Sequence, residues 1–144
     1  MSDGSYTTGI DEELADNLVR VARTSLGDTL RSVLYFTPSQ FDVLYVRSDL
    51  YDSAAAAREA KSRLVDFEAA GFAEAPVRTA ISGTEGAREG SDIGPYEFTV
   101  RFHRNGFVVR ILEGDAGVIL TTDGMNVTAF EDAAGSIRTL LADR

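Results

Sequence analysis

The chain has 144 residues, with 23 acidic against 14 basic side chains and a formal net charge of −9. That length suits one domain, which on folding buries roughly 68–70% of the surface exposed by the unfolded chain. There is no cysteine and a single histidine, His103. Disulfides, thiolate metal sites and thiol nucleophiles are therefore excluded, and a Ser-His-Asp triad or multi-histidine metal centre would have one ring to be built around.

In chain order, residues 1–9 are polar and rich in Gly, Ser and Thr, and read as a flexible N-terminus. A first helix follows, with Thr8 and Asp11 in the spacing of a capping box. Ile10, Leu14, Leu18, Val21, Ala22 and Leu26 make its apolar stripe, and Gly27-Asp28 ends it. Leu30 to Phe36 and Phe41 to Arg47 are β-branched and aromatic around the break Thr37-Pro38-Ser39-Gln40, which predicts a hairpin. Asp52 or Ser53 caps a second helix running to Gly71, with an inward stripe of Ala54, Ala57, Ala60, Leu64 and Phe67. Val77 to Ile81 reads as a short edge strand, and the four glycines of residues 83–94 as a flexible loop.

Tyr96 to His103 alternates strictly, Asn105-Gly106 has the composition of a two-residue hairpin turn, and Phe107 to Leu112 returns. Val118 to Thr122 forms a third strand after the turn at Glu113–Gly117. Thr128 with Glu131 predicts a capping box for a closing helix on the stripe Phe130, Ala133, Ala134, Ile137, Leu140 and Leu141. Asn126-Val127-Thr128 also matches a glycosylation acceptor; helix capping accounts for it more simply.

These elements predict one α+β domain over residues 1–144, of order α-β-β-α-β-β-β-α. A mainly antiparallel sheet of about five strands carries helices on both faces. The order resembles the roadblock and profilin-like architectures, whose first and last helices share one side of the sheet. No residue motif of those families stands in the chain. Residues 35–51, from Tyr35-Phe36-Thr37-Pro38 to Asp49-Leu50-Tyr51, are similar to a stretch in small haloarchaeal domains of transducer-like type, a resemblance that implies no activity.

Thirteen of the 14 basic residues are Arg and only Lys61 is lysine. An acidic chain with scarce Lys and many small residues reads as halophilic, the alternative being a GC-rich genome, which also trades Lys for Arg. Its charge and scattered Arg residues argue against nucleic acid as a partner. The longest apolar runs, such as Val118 to Leu120, are far short of the ~20 residues of a membrane span. The opening Met1-Ser2-Asp3-Gly4-Ser5 lacks the features of a signal peptide, which points to the cytoplasm.

Pairing about Asn105-Gly106 sets Arg101 directly opposite Arg110, with His103 beside Val108 on the same partly apolar face. Two opposed guanidiniums need a carboxylate or an anion between them. The carboxylate would come from Glu97, the middle helix or a partner chain; alternatively Arg101, His103 and Arg110 line an anionic-ligand site. No catalytic set, cofactor or metal site is expected. The resulting expectation is a non-enzymatic interaction or sensory-type module, self-associating as a homodimer. A small anionic-ligand binding domain or minor enzyme on the Arg101/His103/Arg110 face is the alternative.

Overall fold

Asp11 opens the first helix by accepting hydrogen bonds from the Glu13 and Leu14 amides, and Glu12 and Glu13 place negative charge on its first turn. In a computed structural model of the chain, which describes residues 6–82 and 93–144, this helix, α1, spans Glu12–Leu26. Gly27, at φ 58°, ends it in a backbone conformation that residues carrying a Cβ rarely adopt. Thr8, expected as the cap, is engaged elsewhere: its amide and hydroxyl both bond the Asp42 carboxylate, as does the Thr7 amide. Residues 6–9 are therefore tied to the sheet, and the expectation of a flexible end does not hold for them; residues 1–5 lie outside the described ones.

The sheet has five antiparallel strands: β1 (Leu30–Phe36), β2 (Phe41–Val46), β3 (Thr99–His103), β4 (Gly106–Glu113) and β5 (Ala116–Thr122). Their spatial order is β2-β1-β5-β4-β3, so β1 and β5 are central and β2 and β3 form the edges. Alternation along the strands sorts two cores. Val33, Val109, Ile111, Val118 and Leu120 face α1 and the closing helix α4 (Val127–Ala142). Leu34, Phe36, Val108 and Ile119 face the middle helix α2 (Ala54–Ala69), which packs Val65 among them. Fully burying side chains of this size contributes about 1.5–3 kcal/mol each.

The α+β class, the antiparallel five-stranded sheet and the helices on both faces are as the sequence implies. Three local expectations are corrected and one is narrowed. Val77 to Ile81 lies in a helix, α3 (Ala75–Ser82), and is not an edge strand. The break after α2 is a tight helical turn over Ala70–Glu74, and Gly71 does not take a left-handed conformation there. α4 is capped by Asn126, whose side chain accepts from the Ala129 amide, instead of by Thr128. Ser53 caps α2, one of the two residues expected.

The α2 stripe is also rotated. Ala57, Lys61, Val65 and Glu68 are its buried residues, while Ala54 and Ala60 are exposed and Phe67 is 60% exposed. The helix thus turns two charged side chains toward the sheet, and one of them organises the site described next. The loop expected over residues 83–94 lies, for residues 83–92, outside the described ones.

Candidate functional site

The β3–β4 hairpin sets the geometry of the three candidate residues. Its loop is Arg104-Asn105, so His103 pairs with Gly106, Arg101 with Val108 and Thr99 with Arg110. The register differs by two residues from the pairing expected about Asn105-Gly106. A slip of two keeps every side chain on its face, because strand side chains alternate with period two. Arg101 and Arg110 accordingly share the α2 side of the sheet, diagonal to one another instead of directly opposed.

Between them stands Glu68 of α2, with no exposed surface. One carboxylate oxygen accepts from Arg101 Nε at 2.6 Å, and the other accepts from Arg110 Nη1 at 3.1 Å. Arg110, 2% exposed, also donates from Nη1 to the Glu68 carbonyl at 3.3 Å and from Nη2 to Thr99 Oγ1 at 3.2 Å. Glu74 approaches Arg110 Nη2 at 3.6 Å. Glu97, the other acid considered, pairs instead with Arg138 at 3.2 Å. The hydrogen bond to Glu68 is the main cause holding the Arg101 guanidinium above even its ordinary high pKa, against the opposing effect of burial.

This cluster fixes the loop that follows α2. A side chain at Gly71 would place its Cβ 2.5 Å from Arg110 Nη1, so glycine lets the backbone lie directly against the guanidinium. Arg110 Nε is buried without a hydrogen-bond partner among the described residues. Charge-assisted bonds to a buried carboxylate tie α2 to β3 and β4.

His103 stands apart from this cluster. It is exposed at the end of β3 and lines a separate concavity with Arg31, Lys61 and Arg104. The structure thus brings Arg101 and Arg110 together through Glu68 and places His103 elsewhere. Among the described residues, no group of three His, Asp or Glu side chains is gathered as metal ligands. The middle helix is one of the expected sources of the carboxylate, but the sequence reading does not single out Glu68, because the expected α2 stripe of Ala54, Ala57, Ala60, Leu64 and Phe67 leaves it out. The available signal was its spacing from Ala57 and Lys61, which places all three on one helical stripe.

A second ionic group joins strand ends. Asp123, just after β5, accepts from Arg31 Nη1 at 2.9 Å and from Arg47 Nη1 at 2.6 Å. Arg47 also reaches Asp49 at 2.7 Å and the Asp28 carbonyl at 2.9 Å. These bonds lie at the surface and staple β1, β2 and β5 at one end of the sheet.

Over residues 16–142 the sequence matches the family described as a domain of unknown function, DUF7522. The chain belongs to this family. Among solved structures, this DUF7522 domain is similar to the gliding protein MglB of Thermus thermophilus, with a TM-score of 0.57 and 15% identity. The likeness covers 94% of this chain and 96% of that one. At such low identity it is a likeness of fold, and the fold is the roadblock-like one that the order of elements resembles. No curated protein matches the DUF7522 domain in sequence.

Proposed function

We propose that the chain is a non-enzymatic protein-interaction or sensory-type module that works as a homodimer in the cytoplasm of a halophile, pairing through the β3 edge of its sheet. The apolar side of the sheet opposite α1 and α4 gives no ground for a second subunit, because α2 covers it. The observation that carries the reading is Phe102. It lies on an edge strand, is 72% exposed, and packs edge-on against Phe107 with ring centroids 5.1 Å apart.

An edge strand offers a row of backbone donors and acceptors to another chain unless something covers it. At the other edge, β2, the Asp42 carboxylate is taken up by Thr7 and Thr8, and the Arg58 guanidinium lies 4.0 Å over the Phe41 ring. The β3 edge carries instead an exposed aromatic, with Arg101 stacked 4.7 Å over the half-exposed Phe67 beside it. Aromatic and Arg side chains are the types that anchor protein interfaces. Two antiparallel copies of β3 about a two-fold axis would present the same patch to one another, which makes the contact closed and self-limiting. A fold similar to that of a gliding protein is compatible with an interaction role.

No helix among the described residues is long and apolar enough to cross a membrane. Two copies each of formal charge −9 repel, so association strengthens as salt screens them. Sedimentation equilibrium in low and in molar KCl is the test. The wild-type chain is expected to reach twice the protomer mass, more readily in high salt, and Phe102→Asp to remain a monomer with an unchanged circular dichroism spectrum. A wild-type chain that is monomeric at every concentration and salt would end the proposal.

A further inference from the structure

The concavity that His103 lines has a chemistry opposite to that of the chain as a whole. It is an open cleft of about 380 Å³ between α2 and the β3–β4 turn, lined by the basic residues Arg31, Lys61, His103 and Arg104 and, among the described residues, by no carboxylate. Three parts of the fold deliver them. Arg31 comes from β1 at a register slip between Leu30 and Ser32, where a bulge re-aims side chains. Lys61 comes from α2, while His103 and Arg104 come from the hairpin.

Lys61 is the anomaly. It is the one lysine of the chain, is 6% exposed, and among the described residues has no carboxylate or hydrogen-bond partner, only the face of Tyr51 at 5.7 Å. Burial chiefly, with repulsion from Arg31 added, holds its pKa below the usual lysine range. The ammonium keeps some contact with solvent; a charge so largely withdrawn from water without a protein partner is costly, and an anion at the site lowers that cost. Arg31 spends one Nη1 bond on Asp123 and keeps its other donors. Arg104 is exposed and makes no ion pair among the described residues.

We propose that this cleft binds phosphate, as the free anion or as the phosphate group of a small molecule, with Lys61 as its buried ligand and Arg31 and Arg104 flanking it. A planar carboxylate is served by one guanidinium fork. Cations arriving from three separate elements suit instead a group of about −1.5 to −2 charge with several acceptor oxygens. The volume lies at the small end of the roughly 300–1,000 Å³ found for ligand sites. The site does not depend on self-association.

The test uses the full chain, titrated with inorganic phosphate and separately with phenyl phosphate by calorimetry and thermal unfolding, ionic strength being held constant with chloride. A saturable heat and a rise in Tm are expected. Lys61→Met should abolish both while leaving the unliganded chain about as stable as the wild type, since it removes a largely withdrawn charge that has no carboxylate partner among the described residues. Arg104→Ala, at an exposed position that folding does not need, should weaken binding by about tenfold. Tighter binding of phenyl phosphate would assign the site to phosphomonoesters, and tighter binding of inorganic phosphate to the free anion. No response beyond that of chloride, or an equal response in both variants, would overturn the proposal.

Discussion

Removing the Glu68 carboxylate would leave Arg101 and Arg110 with a shared acceptor gone and Arg110 still 2% exposed. Breaking a buried ion pair from one side strands an uncompensated charge, at a cost of about 3–5 kcal/mol. Glu68→Leu is therefore expected to lower the unfolding free energy by that order. Adding Arg110→Met should restore most of the loss, because replacing both partners by apolar groups of similar volume is often close to neutral. Urea titration of the single and double variants checks this. A Glu68→Leu variant of wild-type stability would show that the two guanidiniums find water instead. The same residue marks the limit of what could be read beforehand. That Arg101 and Arg110 share a face and need a negative partner follows from strand alternation alone. That the partner is Glu68 requires knowing the rotation of α2, which its alanine-rich pattern leaves nearly undetermined.

At the scale of elements, Asp123 gathers β1, β2 and β5. Hydrogen bonds from Arg47, then from Arg31, hold its carboxyl below the usual carboxylate range, and Arg47 does the same to Asp49. A carboxyl whose folded value is depressed contributes stability that is complete above its unfolded value, about 3.9, and is lost as pH falls through the folded value. The effect is small, since the Asp123 side chain is 43% exposed and solvent screens it. Acid unfolding of Asp123→Asn should show a flatter limb below about pH 4 than the wild type. An identical limb would remove Asp123 from the account.

Most elements were legible because their patterns are strong: the alternation through Tyr96–His103, the stripe of α4, and the turn signals between strands. Three misreadings have separate physical causes. Val77 to Ile81 carries β-branched residues that suit a strand, yet as α3 it directly follows a helical turn, and such propensity yields to context. The hairpin loop moved from Asn105-Gly106 to Arg104-Asn105, leaving Gly106 in the ladder, where a Cβ would lie 2.5 Å from the Thr122 carbonyl oxygen. Thr8 lost its capping role to Asp11 because the Asp42 carboxylate, distant in sequence, claims its hydroxyl and amide.

For the whole molecule, the sheet order β2-β1-β5-β4-β3 and the placement of α1 and α4 against one face and α2 against the other bury both surfaces of the sheet. What remains of the sheet for a partner is an edge, and among the described strands Phe102 on β3 is the large apolar side chain left exposed. Pairing of two β3 edges protects the outward backbone amides of that strand, and amide exchange reads this protection residue by residue. The most direct test is hydrogen exchange of the wild-type chain in molar salt, at dilute and at concentrated protein. Exchange across Thr99–His103 is expected to slow as concentration rises while that of β2 stays constant. Protection of β3 that does not change with concentration, or a change confined to β2, would contradict the assignment of the β3 edge as the interface.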